Sequence, residues 1–295
     1  MFQNIQTILK PLAFEAIGKG LQNITGASSS LEAFKSPVGD PGLFGPQSVV
    51  WKVHADFSAM MVGGLSSLMI QALHPRALAA VWDHSNFRQQ LKARLGRTAL
   101  FVASTTYGGV ELATKSIERV NAIHAKIEGL DQQGKPYKAN EPDLLRWVHL
   151  IETVSFLNAY QHLALRPLSA SDCNRYVVEM NKVGEMLGAI NLPSTLQDLQ
   201  YAIAQYEPEL DFDERTRETI QSIENYSVGW TEKPFFSLIL KSSFDIVPHW
   251  LLHKLQRTPD GCLQMNGRKV ALQIASQPVQ WMLAKTLVCA VAKAR

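Results

Sequence analysis

Four histidines, His54, His74, His124 and His149, fall inside strongly apolar, helix-like stretches between Phe44 and Tyr160. An arginine-rich turn, Arg94-Leu95-Gly96-Arg97-Thr98, lies between them. Polar side chains in buried helices cost free energy unless they are paired or bound to something. Several in one core predict a buried polar site. Imidazoles beside guanidinium groups predict a metal or haem pocket that also holds an anionic group.

Each residue has a bland reading beside the functional one. Ile117, Val120, His124 and Ile127 follow the spacing of one helix face over 110–128, which places His124 on the buried stripe. A lone core histidine commonly bonds a carbonyl, but imidazole is also the usual axial ligand of non-covalent haem. Arg94, Thr98, Phe101 and Thr105 share a second face, with Arg97 one residue off that line. Arg94 and Thr98, at i and i+4, point into the same space. Gly96 there costs roughly 1 kcal/mol relative to Ala, tolerable where something approaches the backbone. A guanidinium at such a place stabilises a negatively charged oxygen; the plain alternative is a solvated basic face.

His149 and Glu152, at i and i+3, can touch each other or one ligand. A single His-x-x-Glu is not the repeated Glu-x-x-His of di-iron bundles, and no HExxH is present. His74-Pro75-Arg76 reads either as a pocket-lining pair or as a helix-terminal cap. Trp51, His54 and Asp56 are equally open, with Asp56 a candidate cap for the helix that follows.

The elements that must position these residues are helical. The most apolar stretch, Ala59 to Leu73, is shorter than the ~20 residues of a membrane span and reads as a core helix. Residues 129–140 read as a polar loop. Asn140-Glu141-Pro142-Asp143 then resembles a helix start, opening a helix over 141–162 that is apolar nearly all round and so central. Further starts fall at Ser169, for a helix ending near Gly188, and at Pro193-Ser194. A last helix is expected over 269–295. The organisation is a single all-α domain over 1–295: an N-terminal helix and lead-in loop over 1–40, a core over 40–190 and a helical tail over 191–295.

Composition narrows the classes. With 46% hydrophobic and 19% charged residues the chain is globular, and its net charge of +3 is spread without a basic stripe for nucleic acid. Cys173, Cys262 and Cys289 are far apart and odd in number, which predicts reduced thiols and a cytoplasmic setting. The first 24 residues lack the pattern of a signal peptide. Their apolar spacing suits a helix packed on the body, or one lying peripherally on a membrane.

The motifs together resemble the latex-clearing-protein/MpaB oxygenase family. The resemblance rests on Leu43-Phe44-Gly45-Pro46-Gln47-Ser48, Trp51-Lys52-Val53-His54-Ala55-Asp56 and Gln71-Ala72-Leu73-His74-Pro75-Arg76-Ala77. It continues through Arg94-Leu95-Gly96-Arg97-Thr98, Ile123-His124-Ala125 and Pro142-Asp143-Leu144-Leu145-Arg146-Trp147-Val148-His149. It covers about 40–190 and implies an all-α protein with a buried, non-covalent b-type haem. Family members use dioxygen to cleave carbon–carbon double bonds of polyisoprene, or a prenyl side chain in the membrane-associated branch. By motif the resemblance implies His124 as proximal haem ligand and iron-binding residue, with Arg94 and Thr98 near the haem. Arg97 stands where rubber cleavers carry a distal lysine. Their upstream glutamate base has no match: Leu78 stands at a similar distance, and Asp83 is the nearest carboxylate.

The expectation is therefore a haem b oxygenase acting on a lipophilic, prenylated or unsaturated substrate and dioxygen. Its cofactor-binding residues are His124, Arg94, Thr98, His54, His74 and Arg76; its catalytic residues are Arg94, Arg97, Thr98, His149 and Glu152. Two alternatives stay open: a non-catalytic binder of a hydrophobic carboxylate, and a His/Glu metal-dependent hydrolase.

Overall fold

A computed structural model of the chain describes residues 31–35, 37–87 and 90–286, with side chains within 33–277. The helix expected over the first 24 residues lies outside the described residues. Twelve α-helices appear among those described: α1 (Val49–His54), α2 (Phe57–Gln71), α3 (Pro75–His84), α4 (Leu91–Tyr107), α5 (Val110–His124), α6 (Pro142–Leu163), α7 (Ala170–Leu187), α8 (Leu196–Ala204), α9 (Glu214–Glu224), α10 (Lys233–Asp245), α11 (His249–Lys254) and α12 (Cys262–Thr286). Short 3₁₀ turns cover Leu31–Phe34 and Glu207–Glu209. The fold is all-α, as the periodicity predicts.

α2 and α6 form the centre. Both are apolar nearly all round, so neither has a face suited to water. Val62, Leu65, Met69 and Ile70 of α2 are buried against Trp147, Leu150, Ile151 and Leu157 of α6. The crossing is close because Gly63 has no side chain. A Cβ there would lie 2.8 Å from the Phe156 ring and 2.9 Å from the Phe156 Cα and the Ser155 carbonyl oxygen. α10 and α12 pack on one side of this pair, and α7 and α8 on another. α4 and α5 form a hairpin, α5 resting on α7 and α4 on α1.

Side-chain caps decide where several helices begin. Ser48 accepts from the Trp51 amide, Asp56 from Ala59, Ser169 from Asp172, Thr195 from Asp198 and Asp213 from Thr216. Gly188, at φ +101°, ends α7 in the left-handed conformation. α2 stops before Pro75, and α3 leaves at 103° to it. The carbonyls freed at this bend are taken from afar: Ala72 accepts from the Thr216 hydroxyl at 3.0 Å and Leu73 from the Asp211 amide at 2.8 Å. No single helix among the described residues is long and apolar enough to cross a membrane.

Four local expectations differ from the structure. α5 ends at His124 rather than 128, with Ala125 as its C-cap. The polar loop of 129–140 holds a two-stranded antiparallel hairpin, β1 (Glu128–Leu130) paired with β2 (Pro136–Lys138). Its turn is built by Asp131, whose carboxylate accepts from the Gln133 and Lys135 amides, and by Gly134 at φ +78°. Tyr137 then anchors it, buried and donating to Asp83 at 2.9 Å. Glu141, not Asn140, occupies the N-cap of α6, and its carboxylate instead receives the Lys138 amide and the Arg76 guanidinium. The last helix starts at Cys262, seven residues early, because Arg268 is drawn onto Asp245 at the end of α10.

Gly63→Ala is expected to force α2 and α6 apart and destabilise the protein by about 1–3 kcal/mol. Urea unfolding followed by circular dichroism measures this; an unchanged midpoint would mean the crossing tolerates a methyl group.

Candidate active site between α4 and α6

Two small cavities border α4: one is walled mainly by α2, α3 and α9 with Val148 of α6, the other by α6, α7 and His54 of α1. The first, about 50 Å³, is apolar: Leu68, Leu78, Val81, Phe87, Leu91, Val148 and Ile223 supply most of its wall. Arg94 is its only charged lining residue. The second, about 10 Å³, is polar on one side, where His54, Thr105, Thr106, His149 and Glu152 meet Phe101 and Val102 of α4. Both are water-sized as they stand.

Arg94 is half-buried on α4. Its guanidinium lies over the Phe87 ring at 5.7 Å and donates weakly to the Ser85 hydroxyl at 3.4 Å. Among the described residues it has no carboxylate partner. Burial, then the neighbouring Arg97, pushes its pKa down to about 10. A desolvated cation beside an apolar cleft favours an anionic group.

The second cavity holds two titratable groups one turn apart on α6. The His149 ring lies on Gly184 of α7, where a Cβ would approach it to 2.9 Å. Its Nε2 is buried without a hydrogen-bond partner. Burial, opposed by the nearby Asn181 side chain, lowers its pKa to about 4, so the ring is neutral at pH 7. Glu152 is half-buried, and burial raises its carboxyl to about 7. A neutral imidazole and a carboxyl poised near neutrality are suited to proton transfer.

His54 lines the same cavity but is fully engaged. Its Nδ1 bonds the Thr106 hydroxyl at 2.7 Å and its Nε2 the Tyr176 hydroxyl at 3.0 Å. Burial lowers its pKa to about 3, and the neutral ring pins α1 to α4 and α7.

The remaining expected residues line neither cavity. Arg97 and Thr98 are exposed on α4. Thr98 therefore does not share the space of Arg94, since α4 turns its outer face to solvent at that point. His124 is half-buried at the last residue of α5, beyond the end of the fully buried stripe marked by Ala113 and Ile117. Its Nδ1 is buried without a hydrogen-bond partner, and burial lowers its pKa.

Of the two readings of His74-Pro75-Arg76, a pocket-lining pair or a helix-terminal cap, the bend favours the helix terminus, and neither residue lines a cavity. His74 occupies the N-cap of α3 without a capping bond, packed against Trp147 and Tyr206. Burial, then Arg76, lowers its pKa to about 4. Arg76 pairs with Glu141 at 2.8 Å and Glu209 at 3.5 Å, tying α3 to α6 and the turn after α8.

Leu78 walls the apolar cavity, while Asp83 is committed to Tyr137 and Arg215. Tyr176, Thr106 and Gly184 escape a reading of the sequence. Each sits on a buried helix face and signals only core until its partner, at least 35 residues away, is known. Among the described residues, no three His, Cys, Asp or Glu side chains converge as metal ligands.

The site thus belongs to an all-α protein with an apolar cavity bordered by the desolvated Arg94 and a second, more polar cavity lined by His149 and Glu152. The chain belongs to the family defined by the catalytic domain of the ER-bound oxygenase mpaB/B′ and rubber oxygenase, whose model it matches over residues 51–276. It is an oxidoreductase of the oxygenase class. The match runs well past residue 190 and takes in α8 to α11 and the first part of α12. Searches of curated proteins and of solved structures give no match.

The buried histidines set how stability responds to acid. His54, His74 and His149 have folded pKa values of about 3, 4 and 4, below the usual 6.5. Below 6.5 the unfolded chain binds more protons, so stability is full above that pH and falls as pH drops toward 4. Glu152, raised from 4.5 to about 7, acts oppositely: it weakens the folded state as pH rises through that window. The melting temperature should fall on acidification below about pH 6.5. Glu152→Gln should steepen that fall and raise stability above about pH 7 relative to the parent. Parallel slopes for the two proteins would show that Glu152 titrates normally. Tyr176→Phe, which leaves His54 Nε2 buried and unbonded, should cost about 1–3 kcal/mol in the same melts.

Proposed function

We propose that this oxygenase carries a b-type haem between the α4–α5 hairpin and α6. We further propose that it cleaves a carbon–carbon double bond of a lipophilic, prenylated or unsaturated substrate. The observation that carries this reading is the pairing of an apolar cleft, charged only at Arg94, with a chamber holding His149 and Glu152. The donor set suits such a cofactor: a half-buried imidazole on α5, a desolvated guanidinium without a carboxylate, and apolar walls. The cavities are water-sized, so binding requires the hairpin to move away from α6.

When bound, the haem supplies dioxygen activation at its iron. His124, whose pKa burial lowers, would be the residue that holds its iron. Arg94 would hold an anionic group of the cofactor or substrate, with Arg97 and Thr98 beyond it on the same helix; His54, His74 and Arg76 would contribute by fixing the helices around the site. Leu78, Val81 and Phe87 receive the alkene and exclude water. His149 accepts a proton at Nε2, and Glu152 exchanges one near neutrality. Each alkene consumes one dioxygen and yields two carbonyl products. With no match in this chain for the rubber cleavers' glutamate base, proton handling falls to α6.

The same cleft supports a second reading, a carrier in which Arg94 binds a fatty or prenyl carboxylate without redox chemistry. Absorption spectra and a pyridine haemochrome assay, on protein as purified and after haem reconstitution, separate the two. Stoichiometric b-type haem, lost in His124→Ala but kept in His149→Gln, is expected. Full haem binding by His124→Ala would refute that ligand, and no uptake together with a co-purifying fatty acid would favour the carrier.

A further inference from the structure

Residues 37–48 lead into α1 as a loop that holds Gly39, Gly42 and Gly45 at φ +85°, +68° and +76°. These angles suit glycine and strain other residues. Among the described residues, the loop's backbone–backbone hydrogen bonds are local, as from the Gly45 amide to the Pro41 carbonyl at 3.0 Å. Its longer-range ties come through side chains. Lys182 and Arg175, exposed on α7, donate to the Leu43 and Gln47 carbonyls at 2.6 and 3.2 Å. Asp40 accepts from the Val110 amide, at the start of α5, at 2.8 Å. Hydrogen bonds of this kind are individually modest.

One side chain of the loop reaches inward. Phe44 is half-buried and packs against both the main core and the small cluster of Phe34, Trp51 and Tyr107. It also lines the chamber of His149 and Glu152. Every other described residue lining that chamber stands on α1, α4, α6 or α7, helices built into the core. Phe44 is therefore the wall that a loop holds in place. The His149 ring inside is buried, and its Nε2 has no hydrogen-bond partner. The apolar cavity shares no lining residue with this chamber.

We propose that residues 37–48 are a latched lid over this chamber. Phe44 is the plug, the positive-φ glycines are the hinges, and Lys182 and Arg175 are the latch. When the latch lets go, the loop swings outward, carries Phe44 with it and opens the His149 ring to water or another small solute. α7 serves twice: Met180 and Val183 line the chamber from its buried side, and Arg175 and Lys182 hold the lid from its exposed side. The purpose of the lid, proton exchange between chamber and solvent, rests on the role given above to His149 and Glu152. The opening itself does not.

The test is diethyl pyrocarbonate labelling of the full chain near neutral pH, with the rate at each histidine read by peptide mass spectrometry. The reagent attacks a neutral imidazole, and for a buried ring its rate follows the open population. In the parent, His149 should label far more slowly than the exposed His253. Lys182→Ala/Arg175→Ala keeps Phe44 and changes exposed positions only. It should speed His149 by at least about tenfold, the factor that two hydrogen bonds of modest net strength give to an opening equilibrium. Phe44→Ala should speed it at least as much. His74, buried at the bend between α2 and α3, should stay as slow as in the parent. The proposal is overturned if His149 of the parent labels as fast as His253, or if either variant leaves its rate unchanged. An equal rise at His74 also overturns it, because the fold as a whole has then loosened. Rates are compared at matched haem content. A chain that takes up no haem yet opens as expected loses the haem reading and keeps the lid; one that binds haem with unchanged His149 rates does the reverse.

Discussion

The approach of α2 to α6 at Gly63 and Phe156 governs the rest of the molecule. Two helices with apolar side chains on nearly every face cannot rest at a surface, so each must be surrounded. Their close crossing removes the most apolar segments from water and leaves the ends of both helices to be wrapped by α1, α3, α7, α8, α10 and α12. α4 packs chiefly on α5 and α1 rather than on this pair. The space between α4 and α6 follows from that arrangement, and the site occupies it.

The polar groups of the core divide by whether they are satisfied. His54 has a partner for each ring nitrogen and joins three helices, so its burial is repaid by hydrogen bonds. Arg76 is likewise absorbed by Glu141 and Glu209. His149 and Arg94 differ. His149 has a buried nitrogen with only the Asn181 side chain beside it; Arg94 is a desolvated cation with no carboxylate partner among the described residues. A core that supports such groups forgoes stability there, which is the usual mark of a site that meets its partner from outside.

Family membership and local chemistry constrain the reaction differently. The family match makes the chain an oxygenase. The residues around the cleft then set how this chain departs from rubber cleavers. Leu78 makes the wall near Arg94 apolar, and Asp83 is tied to Tyr137 and Arg215, so neither supplies a base there. The titratable groups that remain close to the α4–α6 space stand one turn apart on α6, on the neighbouring chamber.

Much of the fold is legible in the chain because helix formation is local. Apolar spacing, Ser169, Asp56, Gly188 and the prolines at 75 and 142 mark where helices run, start and stop within a few residues. The hairpin at 128–138 was hidden because its stability comes from Tyr137 reaching Asp83, more than 50 residues away. The pairing of His149 with Glu152 was legible, since i and i+3 on one helix is a local relation. That His54 is locked while His149 is not was illegible, because Thr106, Tyr176 and Gly184 come from other helices. The sequence by itself determined the helices, their buried faces and the family. Only tertiary structure decided which polar residues share a chamber and which are spent on structure, because each outcome rests on contacts between segments whose separation along the chain carries no periodic signal.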